Sequence, residues 1–300
     1  MVYTEVQKRG AKKNYYRAVS KREGRKVTKK RIFLGTDLSG KELARAESEA
    51  DIELGILGSL LSREELAILK EIKLKYSREP VITKRNRFEA FATVFTHNST
   101  SIEGNTLTLR ETGILLFDGI TPKGKSVREI NEVLGHRNAL DFMLEYEADI
   151  SKDLILELHA RVMKDTLPGD YKSQIGRYRE VQVFIRGLDW TPPGPGDVPG
   201  DMKALLSWYS KNRGKVDPLV AAVYFHVGFE IIHPFIDGNG RVGRLLLNFI
   251  LHRNGYPMVS IPNREKQRYY DALREAQTQG NLRPFLEFVI ELMTGTELMY

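Results

Sequence analysis

The residues whose types and spacing most clearly indicate chemistry lie in one short run, His233-Pro-Phe-Ile-Asp-Gly-Asn-Gly-Arg-Val-Gly-Arg244. The imidazole of His233 has an unperturbed pKa near neutrality and suits removal of a proton from a hydroxyl group. Asp237 offers a hard oxygen ligand for Mg²⁺. Arg241 and Arg244 are three residues apart, so on a helix both guanidinium groups reach the same polyphosphate. The run therefore predicts a site that binds a nucleoside triphosphate beside a general base.

Two apolar helices should position these residues. Apolar residues recur with a helical period over residues 218–232 and again over 241–252. Pro234 prevents simple continuation of the first helix. The Gly238-Asn239-Gly240 turn allows backbone conformations that bulky side chains exclude, and its N–H groups can converge on phosphate oxygens at the start of the second helix. The alternative is a glycine-rich turn with a satisfied histidine and solvated arginines.

The run is a full match to HPFx(D/E)GNGRxxR, and on that ground the chain resembles the Fic family. The resemblance implies a mainly α fold: a Fic-type helical core with a β-hairpin flap. It also implies transfer of AMP from ATP to a Ser, Thr or Tyr hydroxyl of a protein, with release of pyrophosphate. Relatives that transfer other groups often depart from this loop pattern, so adenylylation is favoured. The implied roles are His233 as base, Asp237 for Mg²⁺, Gly238, Asn239, Gly240 and Arg241 for the α- and β-phosphates, and Arg244 for the γ-phosphate.

A second motif lies upstream, Ser99-Thr-Ser-Ile-Glu103-Gly104, and resembles the family's inhibitory pattern (S/T)xxxE(G/N). Its position before the catalytic run resembles the class with an N-terminal inhibitory helix, expected here near residues 92–104. By that resemblance Glu103 pairs with Arg244 and obstructs the γ-phosphate of ATP. The alternative is a plain helix end or turn, where Ser, Thr and Gly are common.

A β-hairpin is predicted for residues 176–185, which alternate as a strand does before Gly187 and several prolines interrupt the pattern. In Fic proteins a hairpin called the flap lies here and pairs with an extended segment of the target protein. The side chains expected to touch a target are Val183, Phe184 and Ile185. A surface hairpin without a recognition role is the alternative.

The C-terminal region reads as a helix that ends near Gly280, followed by a shorter one. In the family an aromatic residue of this region lies close to adenine, which makes Tyr269 or Tyr270 a candidate for stacking on the base. An aromatic at helical spacing is equally a core residue. His226 is interpreted as a structural histidine of a core helix.

The N-terminal region carries the excess positive charge. Residues 1–31 contain twelve Lys or Arg and two acidic residues, a net of +10, whereas the whole chain is +7. Residues 14–20 and 26–34 alternate as strands and predict a small basic β-hairpin module of two or three strands. Such a module could bind nucleic acid through phosphate contacts and stacking, or an acidic protein, or be a solvated surface hairpin.

We therefore expect a basic module over residues 1–35, a helical connector over 36–78 and a Fic domain over 79–300. No apolar run approaches the ~20 residues of a membrane helix, and the N-terminus lacks a secretory signal pattern. We expect a cytoplasmic protein without membrane contact, either monomeric or dimeric, that takes ATP and Mg²⁺. The absence of cysteines argues against a structural zinc site. The thirteen tyrosines make self-modification a further expectation.

Two alternatives to AMP transfer remain open at this stage. The same site could remove AMP from a modified protein, with Glu103 positioning a water molecule. The chain could also be a nucleic-acid-binding regulator that acts through residues 1–35, with the Fic core as an accessory. The intact His233, Asp237 and Arg244 argue against a degenerate core.

Overall fold

The structure, a computed structural model, describes residues 2–23, 26–53, 57–185 and 190–295. The chain separates into two units, residues 1–63 and 64–300, and each has its own secondary structure. The fold is mainly helical with one small antiparallel sheet near the N-terminus, as the sequence predicts. In the described part of the chain, no helix is both long and apolar enough to span a bilayer.

The first unit contains a three-stranded antiparallel sheet in the order β1-β2-β3 and one helix. Its elements are β1 (Val2–Arg9), β2 (Lys12–Glu23), β3 (Lys26–Thr36) and α1 (Gly40–Glu53). Arg17 of β2 joins sheet and helix: its Nε donates to Asp51 Oδ1 at 2.6 Å and its Nη2 to Asp51 Oδ2 at 2.8 Å. The prediction left two or three strands open, and residues 2–9 supply the third.

The second unit is built from helices. Their bounds are α2 (Arg63–Arg78), α3 (Val81–Ile102), α4 (Leu109–Asp118), α5 (Val127–Glu145), α6 (Lys152–Val162), α7 (Val198–Asn212), α8 (Pro218–Ile232), α9 (Asn239–Arg253), α10 (Lys266–Gln279) and α11 (Arg283–Thr294). Short 3₁₀ turns occur at Leu57–Ser59, in the first unit, and at Gly169–Gln174 and Asn263–Glu265 in this one.

The core of the second unit is centred on α8 and α9. Helix α8 is apolar on nearly all sides, and residues from Leu219 to Ile232 are buried around its whole circumference, as expected for a central helix. It begins where Asp217 Oδ1 accepts a hydrogen bond from Leu219 N at 2.8 Å. Helix α9 contacts α3, α5, α6 and α8. The turn between α8 and α9 is therefore held in the centre of the unit.

Helix α3 is longer than the inhibitory helix predicted near residues 92–104, since it begins at Val81. It ends at Ile102, and Gly104 follows with φ of +103°, a conformation that side chains rarely adopt. The next helices, α4 and α5, both start with capping boxes, Thr108 with Glu111 and Ser126 with Glu129.

The prediction of a β-hairpin at residues 176–185 is wrong. These residues are not in strands, and Gly187 lies outside the described residues. Side-chain hydrogen bonds connect this segment to the residues that follow residue 189. Arg179 Nη2 donates to Pro193 O, and Gln182 Nε2 donates to Pro192 O at 3.1 Å. The two prolines have no N–H to donate, so a regular ladder cannot form there.

Candidate active site

The His233 turn closes α8 in an unusual conformation. His233 has φ of 48° and ψ of 61°, the left-handed region, and is one of few non-glycine residues there. Its N–H still donates to Phe229 O at 2.9 Å, so the helix runs up to the histidine before the chain reverses at Pro234. A strained backbone at a residue proposed for catalysis fixes the direction in which its ring points.

Arg179, which the sequence analysis did not single out, holds this turn. The side chain is 2% exposed. Its Nε donates to His233 O at 2.8 Å, its Nη1 to Val181 O at 3.1 Å, and its backbone N–H donates to Pro234 O at 2.9 Å. One buried guanidinium therefore connects residues 176–185, called the flap segment from here on, to the backbone of the histidine turn.

The His233 ring is neutral at physiological pH. Burial lowers its pKa to about 4, and the backbone carbonyl of Glu230 acts in the opposite direction. A neutral imidazole has a lone pair free to accept a proton, which a general base requires. Its Nδ1 lies 3.8 Å from Glu230 Oε2.

Glu230 is a second titratable group that the sequence did not reveal. It is 6% exposed, on the buried side of α8. Burial raises its pKa to about 8, although the nearby Arg244 acts to lower it. The carboxyl is therefore mostly protonated at neutral pH and can lie beside His233 without a net charge.

Asp237 is held by two arginines from different elements. Its Oδ1 accepts from Arg241 Nη2 at 3.2 Å, and its Oδ2 accepts from Arg128 Nη2 at 3.4 Å. The side chain is 41% exposed, so a ligand can reach it. A carboxylate oxygen of this kind is a suitable donor for Mg²⁺.

His159 of α6 fixes the loop from behind. Its Nδ1 accepts from Gly176 N at 3.0 Å, which assigns the ring proton to Nε2, and Nε2 then donates to Asp237 O at 3.2 Å. The ring stacks on Phe235 with centroids 3.7 Å apart, and burial lowers its pKa to about 3. The flap segment and the Asp237 backbone are thus tied to one neutral ring.

The two loop glycines are required by close approach. Gly238 has φ of +81°, and a β-carbon there would lie 2.6 Å from Met163 Sδ. A β-carbon at position 240 would collide with the carboxylate of Glu103 and lie 2.9 Å from Arg244 Nη1. The carboxylate of Glu103 therefore rests directly on the backbone of the predicted phosphate cradle.

Asn239 has a different position from the one expected. Its side chain is 2% exposed. Its Oδ1 accepts from Phe235 N at 2.9 Å and its Nδ2 donates to Phe235 O at 2.8 Å. Both ends of the amide are thus used to close the loop, so in this structure Asn239 shapes the cradle and does not offer its side chain to a phosphate.

Arg241 and Arg244 are almost completely buried, at 2% and 1% exposure, and not all of their donors are used. Within the described residues, Arg241 Nε and Nη1 and Arg244 Nη1 have no hydrogen-bond partner. Buried guanidinium donors without partners are costly unless a ligand supplies acceptors. Their position at the start of α9 fits the oxygens of a polyphosphate.

Glu103 and Ser99 occupy the remaining donors of Arg244. Arg244 Nη2 donates to Glu103 Oε1 at 2.8 Å and to Ser99 O at 2.7 Å, and Nε donates to Ser99 Oγ at 3.0 Å. The motif at residues 99–104 and the second arginine of the run at residues 233–244 are therefore in direct contact. Gly104 follows Glu103 with a positive φ, the backbone conformation in which the helix ends.

The end of α3 is fastened on both sides. Lys266 Nζ donates to Ile102 O, and Asn98 Nδ2 donates to Ser260 Oγ at 2.9 Å. On the other side Asn105 Nδ2 donates to Glu132 Oε2 at 3.0 Å. Glu103 is thus presented to Arg244 by a fixed helix end.

The two tyrosines of α10 differ. Tyr269 is 1% exposed and its hydroxyl lies 2.9 Å from His226 Nε2, so it is a core residue and cannot stack on a base in this conformation. His226 is fully buried, as its structural interpretation requires. Tyr270 is 37% exposed. Partial burial, and to a smaller extent the negative charge of Glu103, raise its pKa to about 12. Only Tyr270 remains a candidate for contact with adenine.

The three predicted flap residues lie at the end of the described segment before residue 186. Phe184 is 79% exposed, whereas Val183 and Ile185 are partly buried. They lie away from His233 in the sequence, and Arg179 provides the link between the two. A large exposed phenylalanine beside a fixed turn is available to another chain.

Comparison with known proteins places this site in a family. Residues 149–251 match the Fic/DOC family. Protein adenylyltransferase Fic of Drosophila persimilis is 38% identical over 208 residues, which are 68% of this chain and 40% of that protein. Protein adenylyltransferase fic-1 of Caenorhabditis elegans is 39% identical over 202 residues, 65% of this chain and 38% of that protein. This chain therefore spans about 40% of the length of the curated relatives it matches.

The fold is similar to solved Fic structures. Fic-1 of C. elegans matches with a TM-score of 0.69 and 31% identity, over 86% of this chain and 76% of that one. A Fic-domain-containing signalling protein of Bacteroides thetaiotaomicron matches with a TM-score of 0.70 and 25% identity, over 78% of this chain and 95% of that one. The chain belongs to the Fic/DOC family.

Proposed function

We propose that this chain transfers AMP from ATP to a hydroxyl side chain of a protein target and releases pyrophosphate. The name protein adenylyltransferase, carried by the relatives above, supports the reaction class. The observation that carries the proposal is the pair of buried arginines, Arg241 and Arg244, whose unpartnered N–H groups lie in the first turns of α9, the helix that follows the turn of the neutral His233.

His233 serves as the general base. It takes the proton of the target hydroxyl while the hydroxyl oxygen attacks the α-phosphorus of ATP. The new oxygen–phosphorus bond forms as the bond to the leaving pyrophosphate breaks, and the pyrophosphate departs with the electron pair. Negative charge develops on the phosphate oxygens, and the N–H groups of Arg241, Arg244 and the glycine loop stabilise it.

Asp237 would hold Mg²⁺, which neutralises charge on the phosphates of bound ATP. The fit rests on its exposed carboxylate oxygens next to the glycine loop. Tyr270 lies near Glu103 and Arg244 and is proposed to contact the adenine ring.

Glu103 holds the site in an inhibited state. Its carboxylate occupies the position against Gly240 and Arg244 that a γ-phosphate needs. Two negative groups cannot share one guanidinium without strong repulsion. ATP can therefore bind productively only after Glu103 moves away.

The protein target is proposed to bind along the segment that contains Val183, Phe184 and Ile185. An extended stretch of the target, placed against this segment, would bring its hydroxyl near His233 because Arg179 joins the two regions. A second copy of this chain is one such target, through its tyrosines.

The test is self-labelling with α-labelled ATP and Mg²⁺ by the unaltered chain, Glu103→Gly, Glu103→Gln and Glu103→Gly with His233→Ala. We expect Glu103→Gly to raise the rate about 10-fold to 100-fold, since a charge-assisted hydrogen bond contributes about 1.5–3 kcal/mol. Adding His233→Ala should lower it by about 10²–10⁴-fold, the range for a positioned base. Glu89→Gln, an exposed carboxylate of the same helix, is the matched control.

Two results would contradict the proposal. If Glu103→Gly labels no faster than the unaltered chain while both bind ATP, Glu103 is not an inhibitor. If all four chains fail to label themselves or an added protein mixture, but release AMP from an AMP-modified protein, the site runs in the direction of removal. Glu103→Gly should then lose that release, because Glu103 would position the attacking water.

A further inference from the structure

The sheet of the first unit has one face covered by its own helix. The strand register pairs Thr4 with Arg17 and Arg17 with Ile32, so these three side chains share a face. Arg17 and Thr4 on this face bind Asp51 and Glu47 of α1. Helix α1 therefore packs on this side of the sheet.

The opposite face carries aromatic and basic side chains. The register places Tyr3, Ala18 and Arg31 in one row and Glu5, Tyr16 and Phe33 in the next. Lys29 shares this face because it lies two residues before Arg31 on the same strand. We use the name aromatic–basic face for Tyr3, Tyr16, Lys29, Arg31 and Phe33.

Each of the three strands contributes one ring to the aromatic–basic face. Tyr16 and Phe33 have ring centroids 5.2 Å apart, and Phe33 is 54% exposed. The small Ala18, next to Tyr16 on the same face, is fully buried, so it forms a floor between the larger side chains. An exposed ring of this size on a sheet has no role in the core of its own unit.

Cations lie over these rings. Arg31 is 5.0 Å from the centroid of Tyr16 and Lys29 is 5.5 Å from that of Tyr3. Glu5 on this face forms an ion pair with Lys29, which keeps a further N–H donor of its ammonium group for a phosphate. The face therefore combines flat apolar rings with positive charge, and residues 1–31 as a whole carry a net charge of +10.

We propose that the aromatic–basic face binds single-stranded nucleic acid, with bases stacked on Tyr16 and Phe33 and phosphates bound by Lys29 and Arg31. Stacking on a protein side chain needs unpaired bases, which a duplex does not present. Aromatic rings on adjacent strands offer surfaces on which such bases stack. An acidic protein would use the cations but would leave the rings without a function. The inference uses no residue of the proposed catalytic site and is independent of AMP transfer.

The experiment measures binding of fluorescent oligouridylate and oligothymidylate of about 15 nucleotides to the full-length chain by anisotropy, over about 50 to 300 mM salt. We expect both Phe33→Ala and Tyr16→Ala to weaken binding by about 5-fold to 100-fold, the effect of losing one stacked base, at an unchanged salt slope. Lys29→Gln and Arg31→Gln should each reduce the slope by about 0.7. The RNA and DNA probes show which sugar is preferred.

Controls on the covered side of the sheet separate the site from general attraction. Val6→Ala removes an exposed apolar side chain, and Lys13→Gln an exposed charge, from the face that contacts α1. The Val6 change should leave affinity within about twofold, and the Lys13 change should alter the slope less than Lys29→Gln does. Phe33→Trp, which keeps a ring, should retain binding and excludes loss of fold as the cause of the Phe33→Ala effect.

Several results would overturn the inference. It fails if neither oligonucleotide binds, or if both alanine variants bind as tightly as the unaltered chain. Equal affinity for polyglutamate would instead indicate an acidic-protein surface. Equal affinity for duplex DNA would indicate phosphate attraction alone.

Discussion

The carboxylate of Asp237 faces a cation that belongs to a different element from the catalytic run. Arg128 of α5 lies 3.4 Å from its Oδ2 and is oriented by Glu132, whose Oε1 accepts from Arg128 Nε at 3.0 Å. Glu132 in turn binds Asn105, two residues after Glu103, the proposed inhibitor. Arg128 therefore occupies one side of the carboxylate proposed for Mg²⁺.

Replacing Arg128 should make Asp237 easier to load with metal. We expect Arg128→Gln, in the Glu103→Gly background, to lower the Mg²⁺ concentration for half-maximal labelling by about two- to fivefold. This corresponds to about 0.5–1 kcal/mol, the contribution of a largely exposed ion pair. Arg137→Gln, which breaks the ion pair with Asp141 on the same helix, is the control. A metal requirement that is equal in both variants would show that Arg128 does not compete.

The protonated Glu230 makes stability depend on pH. The unfolded chain releases this proton near pH 4.5, whereas the folded chain keeps it up to about pH 8. Between these values the folded state binds more protons, so the free energy of unfolding falls as pH rises. The histidines of the described residues, whose pKa values burial lowers, act in the opposite sense, mainly below pH 6.5. The effect of Glu230 is therefore isolated by comparing the unaltered chain with a variant that lacks only this carboxyl group.

We expect the free energy of unfolding of the unaltered chain, relative to that of Glu230→Gln, to fall by about 1–2 kcal/mol between pH 6.5 and 8, because Glu230 titrates in this interval and the amide of Gln does not. The measurement is urea unfolding at several pH values in this interval. Glu157→Gln, on the surface of α6, should keep the slope of the unaltered chain. Parallel slopes for both variants and the unaltered chain would mean that Glu230 is ionised in the fold.

At the scale of elements, the flap segment and the end of α8 behave as one assembly because Arg179 joins them. Its guanidinium donates to the carbonyl oxygens of Val181 in the flap segment and of His233 at the end of α8. The ammonium group of lysine cannot reproduce this geometry with several N–H donors in one plane. A small displacement of the His233 ring is enough to reduce the rate of a reaction that needs aligned groups. Arg179 is thus a positioning residue, not one that contacts the phosphates.

Arg179→Lys in the Glu103→Gly background is expected to lower kcat for AMP transfer by on the order of 10²-fold, with the ATP dissociation constant changed little. Arg177→Lys, at an exposed neighbouring position, should leave both unchanged. Steady-state kinetics on an added acceptor protein and calorimetric ATP titration separate the two quantities. A loss of ATP affinity equal to the loss of kcat would assign Arg179 to nucleotide binding instead.

The sequence predicts the elements that have strong local signals. The apolar period of residues 218–232 and the proline at 234 predict the bounds of α8 correctly, and the contact of Glu103 with Arg244 is the one that the resemblance to the Fic family implies. The hairpin prediction at residues 176–185 is wrong because alternation in one segment does not show whether a second segment can pair with it. Here the contacting residues, Pro192 and Pro193, have no backbone N–H to donate. A local sequence pattern does not predict which distant residues a side chain contacts in the folded chain.

That limit also explains the residues that sequence reasoning misses. These residues are Arg179, Glu230 and Arg128. Arg179 contacts His233 and Arg128 contacts Asp237, and each of these two contacts joins residues more than 50 positions apart, which no local sequence window contains. His159 is different, because it falls on the buried face of α6 with Ile155 and Leu158, a helical spacing that indicates burial. A histidine on an apolar stripe is the signal that could have drawn attention to it.

At the scale of the whole molecule, the residues of the proposed catalytic site all belong to the second unit, from Ser99 to Tyr270. The aromatic–basic face belongs entirely to the first, in which Arg17 and Asp51 form an ion pair between the sheet and α1. Two functions on separate units can be removed one at a time, which a single shared core would not allow.

Deleting residues 1–63 from the Glu103→Gly chain should therefore leave AMP transfer within about twofold and remove oligonucleotide binding. Tyr3, Tyr15 and Tyr16 are lost with the deletion and could themselves be acceptors, so loss of self-labelling alone is ambiguous. The acceptor is supplied in trans as the full-length His233→Ala chain, which cannot label itself, and the rate of its labelling is measured. A second deletion chain with His233→Ala sets the background. If the shortened chain unfolds at a lower temperature and labels the acceptor no faster than background, the helical unit depends on residues 1–63 for its stability, and the two functions are not separable.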